Sequence, residues 1–170
     1  MILGSLMAGP AHGYQIKKRI TDTFGDQYPH VSDSAVYPRL LRFEKESLTK
    51  SQIQIQNKAP SKKVYHLTDA GMQKIKELAA KPVKANKKIT HADLDELSIH
   101  IMFFSLISRE ERKKVIEPFY NYLKRRRDTA IDKLEKYKPQ IDKYTLVLFE
   151  YGIPMDEKGL EMYQKLMDME

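Results

Sequence analysis

Two stretches of the chain alternate polar and apolar residues with period two: Ser51-Gln52-Ile53-Gln54-Ile55-Gln56 and Lys62-Lys63-Val64-Tyr65-His66-Leu67. Between them lies a polar, proline-containing tip, Asn57-Lys58-Ala59-Pro60-Ser61. Period-two alternation is the strand signature, and two such runs joined by a short connection make a β-hairpin. On the N-terminal side the periodicity is helical. Ile2, Leu3, Leu6 and Met7 fit one face of a short helix that stops at Gly9-Pro10. A second helix starts at about His12, with Tyr14 near its start and Ile16, Ile20 and Phe24 on its apolar face. Ser32, Asp33 and Ser34 are capping residues for a third, whose Val36, Leu40 and Phe43 form a core stripe and which ends near Ser47. After the hairpin, Thr68 caps a helix with Met72, Ile75 and Leu78 facing inward.

The segment Lys81-Pro82-Val83-Lys84-Ala85-Asn86-Lys87-Lys88 interrupts the periodicity and reads as a linker. It divides the chain into 1–80, a basic linker 81–90, and 91–170. Everything beyond it looks helical. Thr90-His91-Ala92-Asp93 has the form of a capping box, opening a helix through Leu94, Leu97, Ile101 and Phe104 to about Ile107. Ser108 starts another. Along it Ile116, Tyr120, Leu123, Arg127, Ala130, Leu134, Tyr137 and Ile141 form a heptad seam, with Pro139 expected to break the helix before the last of them. A seam of that length needs a partner helix, from the same chain or from another copy. The fold class expected is mainly α with a small β-hairpin: a winged helix-turn-helix followed by a helical domain.

Charge sharpens this division. The chain has 170 residues and a net charge of +7, and five of those seven surplus charges lie before residue 81, where 12 basic residues face 7 acidic ones. A positive surplus on a winged helix suits double-stranded DNA: a helix fits the major groove while a basic hairpin lies along phosphates or in the neighbouring minor groove. On the third helix Arg42 is placed to read guanine or hold phosphate, and Ser34 and Tyr37 to donate to phosphate or base edges. Lys58, Lys62 and Lys63 are the wing's contacts, and the basic cluster Lys17-Lys18-Arg19 reads as a solvated helix face, with a phosphate contact by Lys17 or Lys18 as the alternative. The run Lys124-Arg125-Arg126-Arg127 likewise reads as a solvated helix face.

Other classes recede. With 41% hydrophobic and 31% charged residues the chain is neither disordered nor collagen-like, and the absence of cysteine excludes disulfides, thiol catalysis and cysteine-based zinc sites. The longest apolar stretch, Ile99 to Ile107, is about half of a membrane span. His91, Asp95, Glu96 and His100 include i, i+4 pairs of metal-ligating type, yet acids in a helix's first turn suit its dipole, and no metal is expected. Nor do the histidines and carboxylates form a catalytic constellation, so neither enzyme activity nor a cofactor is expected. Phe103, Phe104, Phe119, Tyr120 and Tyr122 are spaced as core or seam, or as the lining of a pocket for a planar effector.

The motifs Ile2-Leu3-Gly4-Ser5-Leu6, Gly9-Pro10-Ala11-His12-Gly13-Tyr14-Gln15-Ile16, Ser34-Ala35-Val36-Tyr37-Pro38-Arg39-Leu40 and Val64-Tyr65-His66-Leu67-Thr68-Asp69-Ala70-Gly71 resemble the PadR family of bacterial transcriptional regulators. Asp95-Glu96-Leu97, Phe103 to Ser108 and Leu148 to Ile153 resemble the longer C-terminal helical domain of its phenolic-acid-responsive subgroup. The resemblance implies a cytoplasmic homodimeric repressor that presents two winged helices to a pseudo-palindromic operator. It places Ser34, Tyr37 and Pro38 on the recognition helix, Tyr14 near the phosphate backbone and Lys62 and Lys63 on the wing. It also implies a small aromatic or phenolic effector in the C-terminal domain or at its junction with the wing domain, near His100, Phe103, Phe104 and Tyr120. The wing departs from the family's Gly-Arg-Pro-like turn, having Lys58-Ala59-Pro60-Ser61 instead. A rival expectation is a helical protein-interaction adaptor that uses the winged helix as a docking module.

Overall fold

A computed structural model describes residues 1–25, 32–56, 59–83 and 88–170. The chain divides into two units, Met1–Leu78 and Ala79–Glu170. The first opens with a 3₁₀ turn, Gly4–Ala8. Three residues per turn stack Leu3 over Leu6, both buried, and rotate Met7 away to 39% exposure, so Met7 does not join the core face expected of it. Strand β1 (Ala11–His12) leads directly into α1 (Gly13–Phe24). His12 caps α1 through a reciprocal box with Gln15: its backbone N–H donates to Gln15 Oε1 at 3.1 Å and its Nδ1 accepts from the Gln15 amide at 3.5 Å.

Helix α2 spans Asp33–Lys45, and strands β2 (Thr49–Gln56) and β3 (Ala59–Leu67) follow as an antiparallel hairpin. Ala59, Pro60 and Ser61, expected in the tip, already belong to β3. The sheet has a third strand, in the order β1-β3-β2, with Ala11 opposite Tyr65 and His12 opposite Val64. Helix α3 (Asp69–Ala80) closes the unit. Its Thr68 hydroxyl accepts from the Gly71 amide at 3.0 Å and donates to the Ser47 carbonyl at 2.8 Å. A Cβ at Gly71 would collide with the Leu48 carbonyl oxygen, so this junction requires glycine for close approach. On α3 the buried pair is Ile75 and Ala79, four apart; Leu78, expected to face inward, is exposed. The core of the first unit joins Ile2, Leu6, Ala11, Ile16, Ile20, Val36, Leu40 and Tyr65.

Among its described residues the second unit has three α-helices: α4 (His91–Ile101), α5 (Arg109–Tyr137) and α6 (Lys143–Asp168). Thr90 and Asp93 form the expected capping box on α4, and Ser108 with Glu111 forms another on α5. Helix α4 stops at Ile101 rather than near Ile107. A tighter turn then delivers Phe104 to the core and leaves Met102 outside. Helix α5 ends at Tyr137, before Pro139, as a residue without an N–H dictates. A short turn folds α6 back along α5, so much of the heptad seam finds its partner within the chain. Ile116 is buried and Tyr120, Leu123, Arg127, Ala130 and Leu134 are half-buried. Gly159 lets the helices approach, since a Cβ there would lie 2.5 Å from Leu123 Cδ2. Val83, within the segment read as linker, is buried with Leu97, Phe104, Val115, Ile116, Phe119, Tyr163 and Met167.

Candidate nucleic-acid interface

The two faces of α2 have opposite tasks. Val36 and Leu40 are 1% and 0% exposed, while Ser34, Tyr37, Pro38, Leu41, Arg42 and Lys45 lie on the outer side. Pro38 has no N–H, so the Ser34 carbonyl one turn back lacks its helical donor, and the Ser34 and Ser32 hydroxyls are 2.8 Å apart. Tyr37 is half exposed and its ring lies over the start of α1: a Cβ on Gly13 would sit 2.7 Å from Tyr37 Cε1. The adjacent Tyr14 is 66% exposed and stacks on His12 with ring centroids 6.4 Å apart. Gly13 therefore links Tyr37 of α2 to Tyr14 of α1 on one surface, although the two tyrosines are 23 positions apart in the sequence.

The cations differ in how firmly they are held. Arg42 Nε donates to Glu46 at 2.7 Å, one helical turn on, and the rest of the guanidinium faces solvent. Lys63 Nζ donates to Glu44 at 2.7 Å and lies 5.4 Å above the Tyr65 ring. Glu44 also accepts from the Ser51 hydroxyl. These bonds, the one from Lys63 foremost, hold the Glu44 carboxyl below the usual carboxylate range, and the Lys63 ammonium is raised in return. Lys63 is thus a strut from the wing to α2, a role with no sequence signal because its partner is 19 residues away. Lys62 is exposed; its charge, after burial, lowers the His12 imidazole. Lys17 is half-buried on α1, and Lys58 lies outside the described residues. Arg19, read as part of a basic surface cluster, instead fastens the N-terminal turn, donating to the carbonyls of Ser5 at 3.0 Å and Gly9 at 2.7 Å.

In the second unit a cavity of about 270 Å³ is lined by Thr90, Leu94, Phe119, Tyr122, Arg126 and Tyr163, among others. Arg126 binds the buried Asp156 carboxylate through both Nε, at 2.9 Å, and Nη2. Burial raises the Tyr163 hydroxyl, and the Arg126 charge opposes it. The residues singled out from the sequence for an effector lie elsewhere. Phe104 is core, and Phe103 is half-buried beside it. His100 Nδ1 is 3.1 Å from the Ala79 carbonyl, and Tyr120 borders a separate groove with Arg127, Glu157 and Leu160. Phe119 and Tyr122, noted in the sequence as aromatic candidates, are the two that reach the cavity. Among the described residues no helix is long and apolar enough to cross a membrane.

Residues 2–77 match the model of the transcriptional regulator PadR-like family. A curated relative, the negative transcriptional regulator PadR of Bacillus subtilis, is 30% identical over 110 residues, which are 65% of this chain and 58% of the relative. The chain thus matches somewhat over half of that relative's length. Among solved structures, the chain aligns with Bacillus subtilis PadR in complex with operator DNA at 20% identity and a TM-score of 0.46, covering 98% of this chain and 93% of that one. It aligns with the same protein in complex with p-coumaric acid at 20% identity and a TM-score of 0.39, covering 98% and 94%.

Proposed function

We propose that the chain is a transcriptional regulator of the PadR-like family, whose model residues 2–77 match, and that it is a homodimeric repressor that binds a pseudo-palindromic operator in duplex DNA and is released by a small aromatic effector. The observation that carries this reading is the outer face of α2. Tyr37, Leu41 and Arg42 stand exposed on a helix whose opposite face buries Val36 and Leu40, beside a hairpin with an exposed Lys62. A convex helix with a guanidinium, a phenol and an apolar side chain can enter a major groove and meet guanine edges, phosphate and thymine methyls. Tyr14, Lys17 and Ser34 flank it as phosphate contacts, and Pro38 shapes the start of the helix.

The dimer reading rests on α6. Tyr144, Leu148, Tyr151, Met155 and Met162 recur at spacings of 4, 3, 4 and 7 and are between 48% and 75% exposed. Such an a/d stripe is what a second copy's helix would cover, and a two-fold arrangement matches palindromic half-sites. The aromatic cavity beside Phe119 and Tyr122 is the place we assign to a planar effector. An effector that prefers a dimer with wrongly spaced recognition helices lowers operator affinity by its differential affinity for that state. A regulator of this kind works in the bacterial cytoplasm.

The test is fluorescence anisotropy with the DNA immediately upstream of the protein's own gene, at two salt concentrations. Binding should prefer that duplex over a scrambled one and weaken steeply with salt, because phosphate contacts release counterions. Equal binding to the scrambled duplex removes the repressor reading.

A further inference from the structure

The wing exposes two isoleucines that neither hydrophobic cluster takes up. Ile53 is 72% exposed and Ile55 82%. Opposed residues in an antiparallel ladder point to the same face, and alternate residues along a strand share it. The pairs Ser51 with Tyr65 and Ile53 with Lys63 therefore place Ser51 and Ile53 on the face of Tyr65 and Lys63, and Ile55 follows at the register irregularity between Gln54 and Gln56. At its base that face rests on α2: Tyr65 is buried, and both the Ser51 hydroxyl and the Lys63 ammonium reach Glu44. Toward the tip it continues with the exposed isoleucines and Ser61. The other face carries Lys50, Gln52, Gln54 and Lys62. Strand β2 is also the sheet's edge, where natural proteins usually place charge rather than isoleucine.

The surroundings state what kind of surface these side chains meet. From Leu48 to Thr68 the sequence has four lysines and no acidic residue, so the hairpin favours a polyanion. The cation sharing the isoleucine face, Lys63, is already held by Glu44. The part of this face that projects toward the tip is therefore apolar within a positive rim. The minor groove of DNA has the complementary pattern, with hydrocarbon deoxyribose walls between two phosphate ridges, and proteins that bind it place apolar side chains there.

We propose that Ile53 and Ile55 pack against the deoxyribose walls of the minor groove flanking the site entered by α2, with Lys62 on the phosphate rim. The wing then responds to groove width and pliability, not to base edges. This rests on the duplex-DNA reading above.

The experiment uses the full chain and the upstream duplex. The double variant I53S/I55S should bind about 10- to 30-fold more weakly, while the slope of log affinity against log salt stays unchanged because no phosphate contact is lost. Hydroxyl-radical protection of the flanking minor-groove sugars should disappear, with guanine N7 protection at the half-sites retained. Its melting temperature should match the wild type, since both side chains are on the surface. K62A should instead reduce the salt slope by about one. Unchanged affinity and sugar protection in I53S/I55S overturn the proposal, as does a change in oligomeric state, which would make the β2 edge a contact between copies. A wild-type chain that binds the upstream duplex no better than a scrambled one removes the DNA reading itself, a result visible before any variant is made.

Discussion

Tyr37 combines a packing role with a hydroxyl on a half-exposed side chain, and the two can be separated. Its ring covers Gly13, and its hydroxyl is 3.1 Å from where a Cβ on Gly13 would stand. Tyr37→Phe keeps the ring in place and removes one hydrogen-bonding group. We expect it to lose about 1 kcal/mol of operator affinity, roughly five-fold, with an unchanged melting temperature. Tyr37→Ala should abolish specific binding and leave the dimer intact; a variant that sediments as a monomer would make Tyr37 a structural residue instead. Tyr37 was legible in the sequence as a flank residue of the third helix. Gly13 as its seat was not, because nothing local at Gly13 reports a ring that arrives from α2. The same holds for Lys63, whose residue type predicts a phosphate contact and whose partner Glu44 makes it a strut.

At the scale of elements, helix starts are the most readable features, since a cap is a contact between residues three apart. Thr90 with Asp93 and Ser108 with Glu111 both form as spaced. The Glu111 carboxylate accepts from the Ser108 amide at 2.8 Å and from its hydroxyl at 2.9 Å, and these bonds hold its pKa below the ordinary 4.5. The unfolded chain therefore binds this proton more tightly than the folded one. The cap's contribution is complete above pH 4.5 and is lost as pH falls through the lowered folded value. Glu111→Gln keeps a hydrogen-bonding group at this position but does not titrate, so its melting temperature should fall less steeply than the wild type's between roughly pH 6 and pH 3. A parallel acid limb would show that the box contributes no pH dependence. Helix ends and very short strands were less legible. Strand β1 has two residues, too few for any periodicity, and forms because β3 offers it an edge. The early end of α4 follows from where Phe104 must go to reach the core.

For the whole molecule, the heptad seam on α5 left two partners possible, and α6 of the same chain takes most of it. What remains open is the outer stripe of α6, with Leu148 and Tyr151 at 72% and 70% exposure. The double variant Leu148→Glu and Tyr151→Glu should sediment as a monomer and lose most operator affinity, because a single winged helix contacts only one half-site. A variant that stays dimeric places the two-fold interface elsewhere. The sequence by itself determined the order of the elements other than β1 and α6, the caps at Thr68, Thr90 and Ser108, the basic N-terminal unit and the identity of the outer residues of α2, because these depend on periodicity and on neighbours within one or two turns. Only the tertiary structure decided which lysine is committed to a carboxylate, which aromatic residues border a cavity rather than fill the core, and that Ile53 and Ile55 project beyond α2. Those properties depend on residues far apart in the chain arriving at one place, and hydrophobic patterning along the chain has no term for that distance.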